Sequence, residues 1–281
     1  MSTTRVSVNG RLTGVDEPSI TALDHGVTVG DGAFETAKVE AGKVFAATRH
    51  AQRLDRTMAG LGLPPADHDY VAQGIAAVLD AGEPIGFGRL RYSVTGGAGP
   101  LGSDRDDSPL TYIVTCAEQP RPPASAALAV VPWTRNERSA VAGLKTTSYA
   151  ENVVALAYAK ERGAIEAAFA NTRGELCEGT GSNIFVVVDG AILTPPLDSG
   201  CLAGITRAIA IEWCREEGLE VREEALPLDV LQSADEVFIT SSTKDILAIH
   251  AVDERAMPAE HPVTDALQRV FREASGQDLD P

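Results

Sequence analysis

Polar and apolar residues alternate over residues 5 to 9 (RVSVN), and the run stops at Asn9-Gly10, a pair suited to the tight turn of a hairpin. TAKVEAGKVFA predicts a second hairpin around Ala41-Gly42. The period then lengthens: Leu54, Met58 and Leu61 fall at helical spacing over residues 49 to 62, and residues 69 to 80 predict another helix. FGRLRYSVT and LTYIVTC are rich in strand formers.

Prolines interrupt the pattern in EQPRPPASA, residues 118 to 126, the best linker candidate in the chain. Beyond it, AALAVVPW predicts a strand and residues 148 to 162 a helix. AFANTRGELCEG and NIFVVVDGAILTP predict two hairpins, the second turning at Asp189-Gly190. An apolar helix over residues 204 to 217 is stopped by Gly218, EVFIT predicts a short buried strand, and Pro262 opens a last helix carrying Val263, Leu267, Val270 and Phe271. Strands and helices are mixed without regular βαβ alternation, which predicts two α/β domains: residues 1–118, a linker at 119–126, and residues 127–281.

Composition narrows the function. The 281 residues are 44% hydrophobic and 23% charged, enough for a sizeable core without metal or disulfide staples. A net charge of −16 with no Lys/Arg run argues against nucleic acid and anionic membranes as partners. Cys116, Cys177, Cys201 and Cys214 form no CxxC pair and no zinc pattern, so no metal is expected. Scattered thiols, no apolar signal segment in MSTTRVSVNG and no run near the ~20 residues of a membrane span predict a cytoplasmic protein.

Gly97, Gly99 and Gly102 match a dinucleotide-binding spacing, but the turn-forming SDRDDSP follows where a helix should open, so a loop is the better reading. Lysine is more informative. Of the five, Lys43 sits in a predicted turn, Lys160 lies on a charged helix face, and Lys38 and Lys244 each have a charged residue close by. Lys145 differs, being apolar on its N-terminal side and hydroxyl-rich after it in AVAGLKTTSYAEN. A lysine in low dielectric loses proton affinity and becomes a nucleophile or Schiff-base former, although a structural lysine with a snorkelling ammonium fits this setting too.

Further segments decide the matter. After the lysine come, in order, EGTGSNIFVVVDG, TPPLDSGCLAGITRAIA and ADEVFITSST; before it come DHGVTVGDGAFETAKVEAGKVFA and RHAQRL; HPVTDALQRVF closes the chain. Nearly end to end, the sequence resembles the class IV aminotransferases, fold-type IV pyridoxal-phosphate enzymes. This family includes branched-chain and D-amino-acid aminotransferases, (R)-amine transaminases and aminodeoxychorismate lyases. The resemblance implies the two-domain fold-type IV architecture, like that of D-amino-acid aminotransferase, with Lys145 in the second domain. It also implies pyridoxal 5′-phosphate as cofactor, an internal aldimine on Lys145, and a homodimer. Glu178 is implied to face the pyridine nitrogen, Gly204, Ile205 and Thr206 to hold the phosphate at a helix start, and Arg53 to balance its charge. Ser242 matches a phosphate-contacting hydroxyl with a register uncertain by one, and Tyr149 a partner of the ring hydroxyl. Plainer alternatives are a helix cap for Thr206, a surface charge for Arg53, a turn residue for Glu178 and a core residue for Tyr149.

The substrate side is implied to involve Phe34, Arg89, Arg91, Ser242 and Thr243. Arg91 falls where branched-chain enzymes carry an arginine and the bacterial lyase a lysine, either of which could bind a carboxylate. Arg89 and Arg91 alternate by two, so both share a strand face, unless the strand is an edge with solvated charges. The loop arginines of D-amino-acid aminotransferases and of the lyase fall at Leu101, and the histidine of the former at Ser103, which weakens both of those specificities; Arg105 could substitute. The expected activity is therefore transfer of an amino group between an amino acid or primary amine and a 2-oxo acid. The alternative is a lyase releasing pyruvate and 4-aminobenzoate from 4-amino-4-deoxychorismate.

Overall fold

The computed structural model describes residues 4–281, which divide into two compact units. The first comprises the chain up to Arg121, the short segment Leu144–Tyr149 and Asp280. Its six-stranded antiparallel sheet contains β1 (Arg5–Val8), β2 (Arg11–Thr13), β3 (Gly32–Glu40), β4 (Lys43–Val44), β5 (Phe87–Thr95) and β6 (Thr111–Glu118) in the order β2-β1-β6-β5-β3-β4. The hairpins turn at Asn9-Gly10 and Ala41-Gly42, both pairs at positive φ. A four-residue helix α1 (His25–Thr28) had no periodic signal. Helices α2 (Ala47–Leu61) and α3 (His68–Asp80) cover one face of the sheet. There Ala33, Ala37 and Val39 of β3 and Leu90, Tyr92 and Val94 of β5 pack against Leu54, Met58, Val71 and Val78. Full burial of a side chain such as Leu90 contributes about 1.5–3 kcal/mol.

The second unit comprises residues 122–143 and 150–279 with Pro281. Its strands are β7 (Ser125–Arg135), β8 (Glu166–Asn171), β9 (Leu176–Gly179), β10 (Asn183–Val188), β11 (Ala191–Thr194), β12 (Val221–Glu223), β13 (Glu236–Ser241), β14 (Asp245–Val252) and β15 (Arg255–Ala256). The sheet order is β12-β11-β10-β13-β14-β7-β8-β9, with β15 paired to β14. Strand β7 runs parallel to both β14 and β8, and β12 parallel to β11; the other pairs are antiparallel. Helices α4 (Ala150–Glu161), α5 (Ile205–Glu216) and α6 (Pro262–Gln277) complete it. Strand β14 escaped the sequence pattern. Its Ile246, Leu247, Ala248 and Ile249 are all buried, so they run continuously instead of alternating.

The segment carrying Lys145 groups with the first unit, whereas the sequence boundaries placed it in the second. Its bonds explain this: Thr147 N donates to Gly32 O at 2.8 Å, Phe34 N to Lys145 O at 3.0 Å, and Lys145 N to Thr57 Oγ1 at 3.3 Å. All three partners lie on β3 or α2. Of the proline-rich stretch at 119–126, the last two residues already belong to β7.

Candidate active site

In the first unit, Lys145 is half-buried, with its Nζ 4.4 Å from the centre of the Phe34 ring and 5.9 Å from that of Tyr149. Phe34 and Tyr149 meet edge to face at 5.2 Å. The Arg91 guanidinium lies 3.7 Å above Phe34. This collects Phe34, Arg91, Lys145 and Tyr149 from the expected residues around one aromatic ring. Arg91 is opposite Thr36 and Arg89 opposite Lys38 across the β5–β3 pair. The strand is internal, between β3 and β6, which removes the edge-strand explanation for the two arginines. Their face is the one opposite the helices, because Leu90 and Tyr92 fill the helix side. Burial, then the neighbouring Arg89 charge, lowers the proton affinity of Arg91; Arg89 itself is exposed.

Arg53 is not the surface charge of the plainer reading. It is buried on α2 and grips Glu35 with both arms, Nε to Oε1 at 2.8 Å and Nη2 to Oε2 at 2.6 Å. His50 Nδ1 is 2.7 Å from Glu35 Oε2. Burial pushes the Glu35 carboxyl up, but the Arg53 charge and the hydrogen bonds from Arg53 and His50 outweigh it and hold the group at about 2. Burial pushes His50 below its ordinary value, against the opposing pull of Glu35. Glu35 and His50 were not singled out from the sequence, although a signal was present. In GAFETAKV, Glu35 shares the strand phase of Ala33, Ala37 and Val39, so it had to face the core and find a cation.

Arg105, the candidate substitute for the missing loop arginine, is engaged within its own unit. Its Nε and Nη2 bind Asp31 at 2.7 and 2.6 Å, and its Nη1 donates to Gly62 O at 3.1 Å. His25, 3.6 Å from Asp31, adds Nε2···Pro100 O at 3.0 Å. The glycine-rich stretch is thus a loop pinned at Asp31. Gly97, at φ +77, packs where a Cβ would run into Pro109 O.

In the second unit, Glu178 lies near the end of β9. Leu202 N donates to its Oε2 at 2.9 Å, and Arg135 Nε is 3.4 Å from its Oε1. Arg135 also lies 4.4 Å from the centre of the Phe169 ring and pairs with Glu151. Gly204 is the N-cap of the twelve-residue α5, and no side chain caps this end; Thr206 is inside the helix and is not the cap. The first backbone N–H groups of such a helix point outward with the positive end of its dipole. Gly204 touches Asn183, whose Nδ2 donates to Leu202 O at 2.9 Å; a Cβ at 204 would collide with Asn183 Oδ1. Thr240, the cross-strand partner of Asn183, and Ser182 beside it each have a buried hydroxyl with no hydrogen-bond partner. Ser242 and Thr243 follow β13 in a turn closed by Lys244 N to Ser241 O at 3.2 Å, Ser242 half-buried and Thr243 buried. The four cysteines are free and buried, and burial pushes the Cys116 and Cys201 thiols up to about 11.

Within the first unit the arrangement is a lysine amine over an aromatic ring with an arginine beside it; within the second it is a carboxylate held by a backbone amide, a helix start without a side-chain cap and two buried hydroxyls without partners. The profile of the amino-transferase class IV family matches residues 32–252, and the chain belongs to that family. It is an aminotransferase with the fold of the fold-type IV transaminases. It is 30% identical over 279 residues to a Methanocaldococcus jannaschii protein bearing the provisional name branched-chain-amino-acid aminotransferase, covering 96% of each. It is also 30% identical over 292 residues to the D-alanine aminotransferase of Listeria innocua, covering 96% of this chain and 95% of that one. The fold-IV transaminase CpuTA1 of Curtobacterium pusillum superposes with a TM-score of 0.86 at 25% identity, over 99% of this chain and all of the other.

Proposed function

We propose that the chain transfers an amino group between an amino acid, or a primary amine, and a 2-oxo acid, using pyridoxal 5′-phosphate bound to Lys145. The observation that carries this reading is the Lys145 amine over Phe34 and Tyr149, on a segment tied by its backbone to β3 and α2. When bound, the cofactor supplies an aldehyde that condenses with amines and a pyridine ring that accepts electrons. The residues supply the rest. Gly204, Ile205 and Thr206 offer backbone donors to the phosphate, supported by the missing side-chain cap, and Ser242 with Thr243 offer hydroxyls. Arg53 adds positive charge, already tempered by Glu35. Glu178 would accept a hydrogen bond from the protonated pyridine nitrogen, and Tyr149 would hydrogen-bond the ring hydroxyl. With the cofactor in place, the Lys145 amine would serve as the base that takes a proton from the substrate's amine-bearing carbon and as the acid that returns one. Phe34 walls the substrate, while Arg91, with Arg89 beside it, receives its carboxylate.

A cytoplasmic homodimer completes the proposal. The exposed apolar side chains Leu23, Val27 and Val29 around α1 and Leu101 on the adjoining loop support the homodimer. No helix among the described residues is long and apolar enough to cross a membrane.

The test is a spectroscopic half-reaction. The cofactor-loaded protein is mixed with L-amino acids, D-amino acids or (R)-phenylethylamine, and conversion of the cofactor to its pyridoxamine form is followed. At least one donor should convert it and yield the matching oxo compound. Release of pyruvate and 4-aminobenzoate from 4-amino-4-deoxychorismate, with no donor active, would instead establish the lyase.

A further inference from the structure

Lys244 looks unremarkable in sequence, between Thr243 and Asp245. In the structure its side chain turns inward, is 22% exposed, and donates from Nζ to Glu166 Oε2 at 2.8 Å. Glu166, the first residue of β8, is 1% exposed. Its other oxygen accepts from Thr180 N at 2.9 Å, from Gly181 N at 3.2 Å and from the Thr180 hydroxyl. The Thr180 carbonyl in turn holds the Asn152 amide. One buried carboxylate therefore fastens the loop that follows Glu178, and Lys244 fastens the turn carrying Ser242 and Thr243 to the same carboxylate.

A buried carboxylate without a counter-ion is strongly unfavourable, and in low dielectric its field reaches neighbouring charges with little screening. Loss of the Lys244 ammonium would leave that carboxylate with its hydrogen bonds but no opposite charge, next to the turn carrying Ser242 and Thr243 that is proposed to face the cofactor. We propose that Lys244 is a positioning residue that sets the affinity of the protein for the phosphate of its cofactor, by neutralising Glu166 and pinning the Ser242–Thr243 turn. This inference rests on the pyridoxal-phosphate reading and extends it to a residue pair outside the proposed contacts.

The experiment titrates cofactor-free protein with pyridoxal 5′-phosphate and, separately, with pyridoxal, following quenching of the two tryptophans. Lys244→Met should weaken pyridoxal 5′-phosphate by about tenfold or more while pyridoxal, lacking the phosphate, changes by less than about twofold. Lys244→Arg should bind like the parent. The uncharged pair Glu166→Gln/Lys244→Met should recover most of the lost affinity, and it remains informative should the single variant fail to fold, because it buries no bare charge. Equal losses for both ligands, no loss for the phosphorylated one, or a double variant as weak as Lys244→Met would overturn the proposal. Failure of the parent protein to bind pyridoxal 5′-phosphate, or binding indifferent to Lys145→Ala, would remove the functional reading instead, and that failure shows before any Lys244 variant is made.

Discussion

Single residues carry the charge balance of the first unit. Against its burial, the Arg53 charge and the hydrogen bonds from Arg53 and His50 hold the Glu35 carboxyl at about 2, below its ordinary value of 4.5, so its stabilisation is complete above the ordinary value and drains away as the pH falls toward the lowered one. His50 acts in the same direction: its folded pKa is depressed below 6.5, so acid that protonates it opposes folding. Thermal unfolding between pH 7 and 2 should show a falling midpoint, steepest below 4.5 where Glu35 is protonated, and a flat profile would contradict the buried triad. Glu35→Gln leaves the Arg53 guanidinium buried without its counter-charge and should cost about 3–5 kcal/mol in chemical denaturation. Arg91 is tested by function. Arg91→Leu should weaken carboxylate-bearing substrates by about 2 kcal/mol relative to neutral amines, since only the former lose a charge-assisted bond. Equal effects on both substrate kinds would take Arg91 out of the substrate site.

Elements position these residues through their ends. Helix α2, which carries His50 and Arg53, starts at Ala46 in the left-handed region with no side-chain cap of its own. One of its first backbone donors is taken by a residue 232 positions away: Asp280 accepts from Thr48 N at 2.9 Å and also from Thr48 Oγ1 at 2.5 Å. Asp280→Ala should lower stability by about 1 kcal/mol, the ordinary value of a cap. The start of α5 is constrained by packing. Gly204→Ala must displace Asn183, which holds Leu202, whose backbone amide holds Glu178. Weaker binding of pyridoxal 5′-phosphate, measured directly, is the expected result; unchanged affinity would mean that the Asn183–Leu202 contact does not set the site. Local pattern foretold most elements: both hairpins of the first sheet, α2 and α3, the hairpins at β8–β9 and β10–β11, and α5 and α6 lie where periodicity and turn residues put them. What it missed had no local signal. β14 is buried on both faces, and β12 is a three-residue edge. The Asp280 cap, the Glu166–Lys244 pair and the Arg105–Asp31 clamp each join residues far apart in sequence.

At the scale of the whole molecule, a net charge of −16 favours dispersal, yet Val27 and Leu101 are 65% and 80% exposed. The proposed homodimer accounts for them. Light scattering should report twice the chain mass for the parent and a shift toward the single mass for Val27→Lys combined with Leu101→Asp; a monomeric parent would contradict it. The central claim concerns one amine. Protein loaded with pyridoxal 5′-phosphate is reduced with borohydride, digested and mapped by mass spectrometry. A pyridoxyl group fixed on Lys145, and lost in Lys145→Ala, is the result predicted. Fixation on another lysine, or the same labelling and turnover without Lys145, would contradict the account.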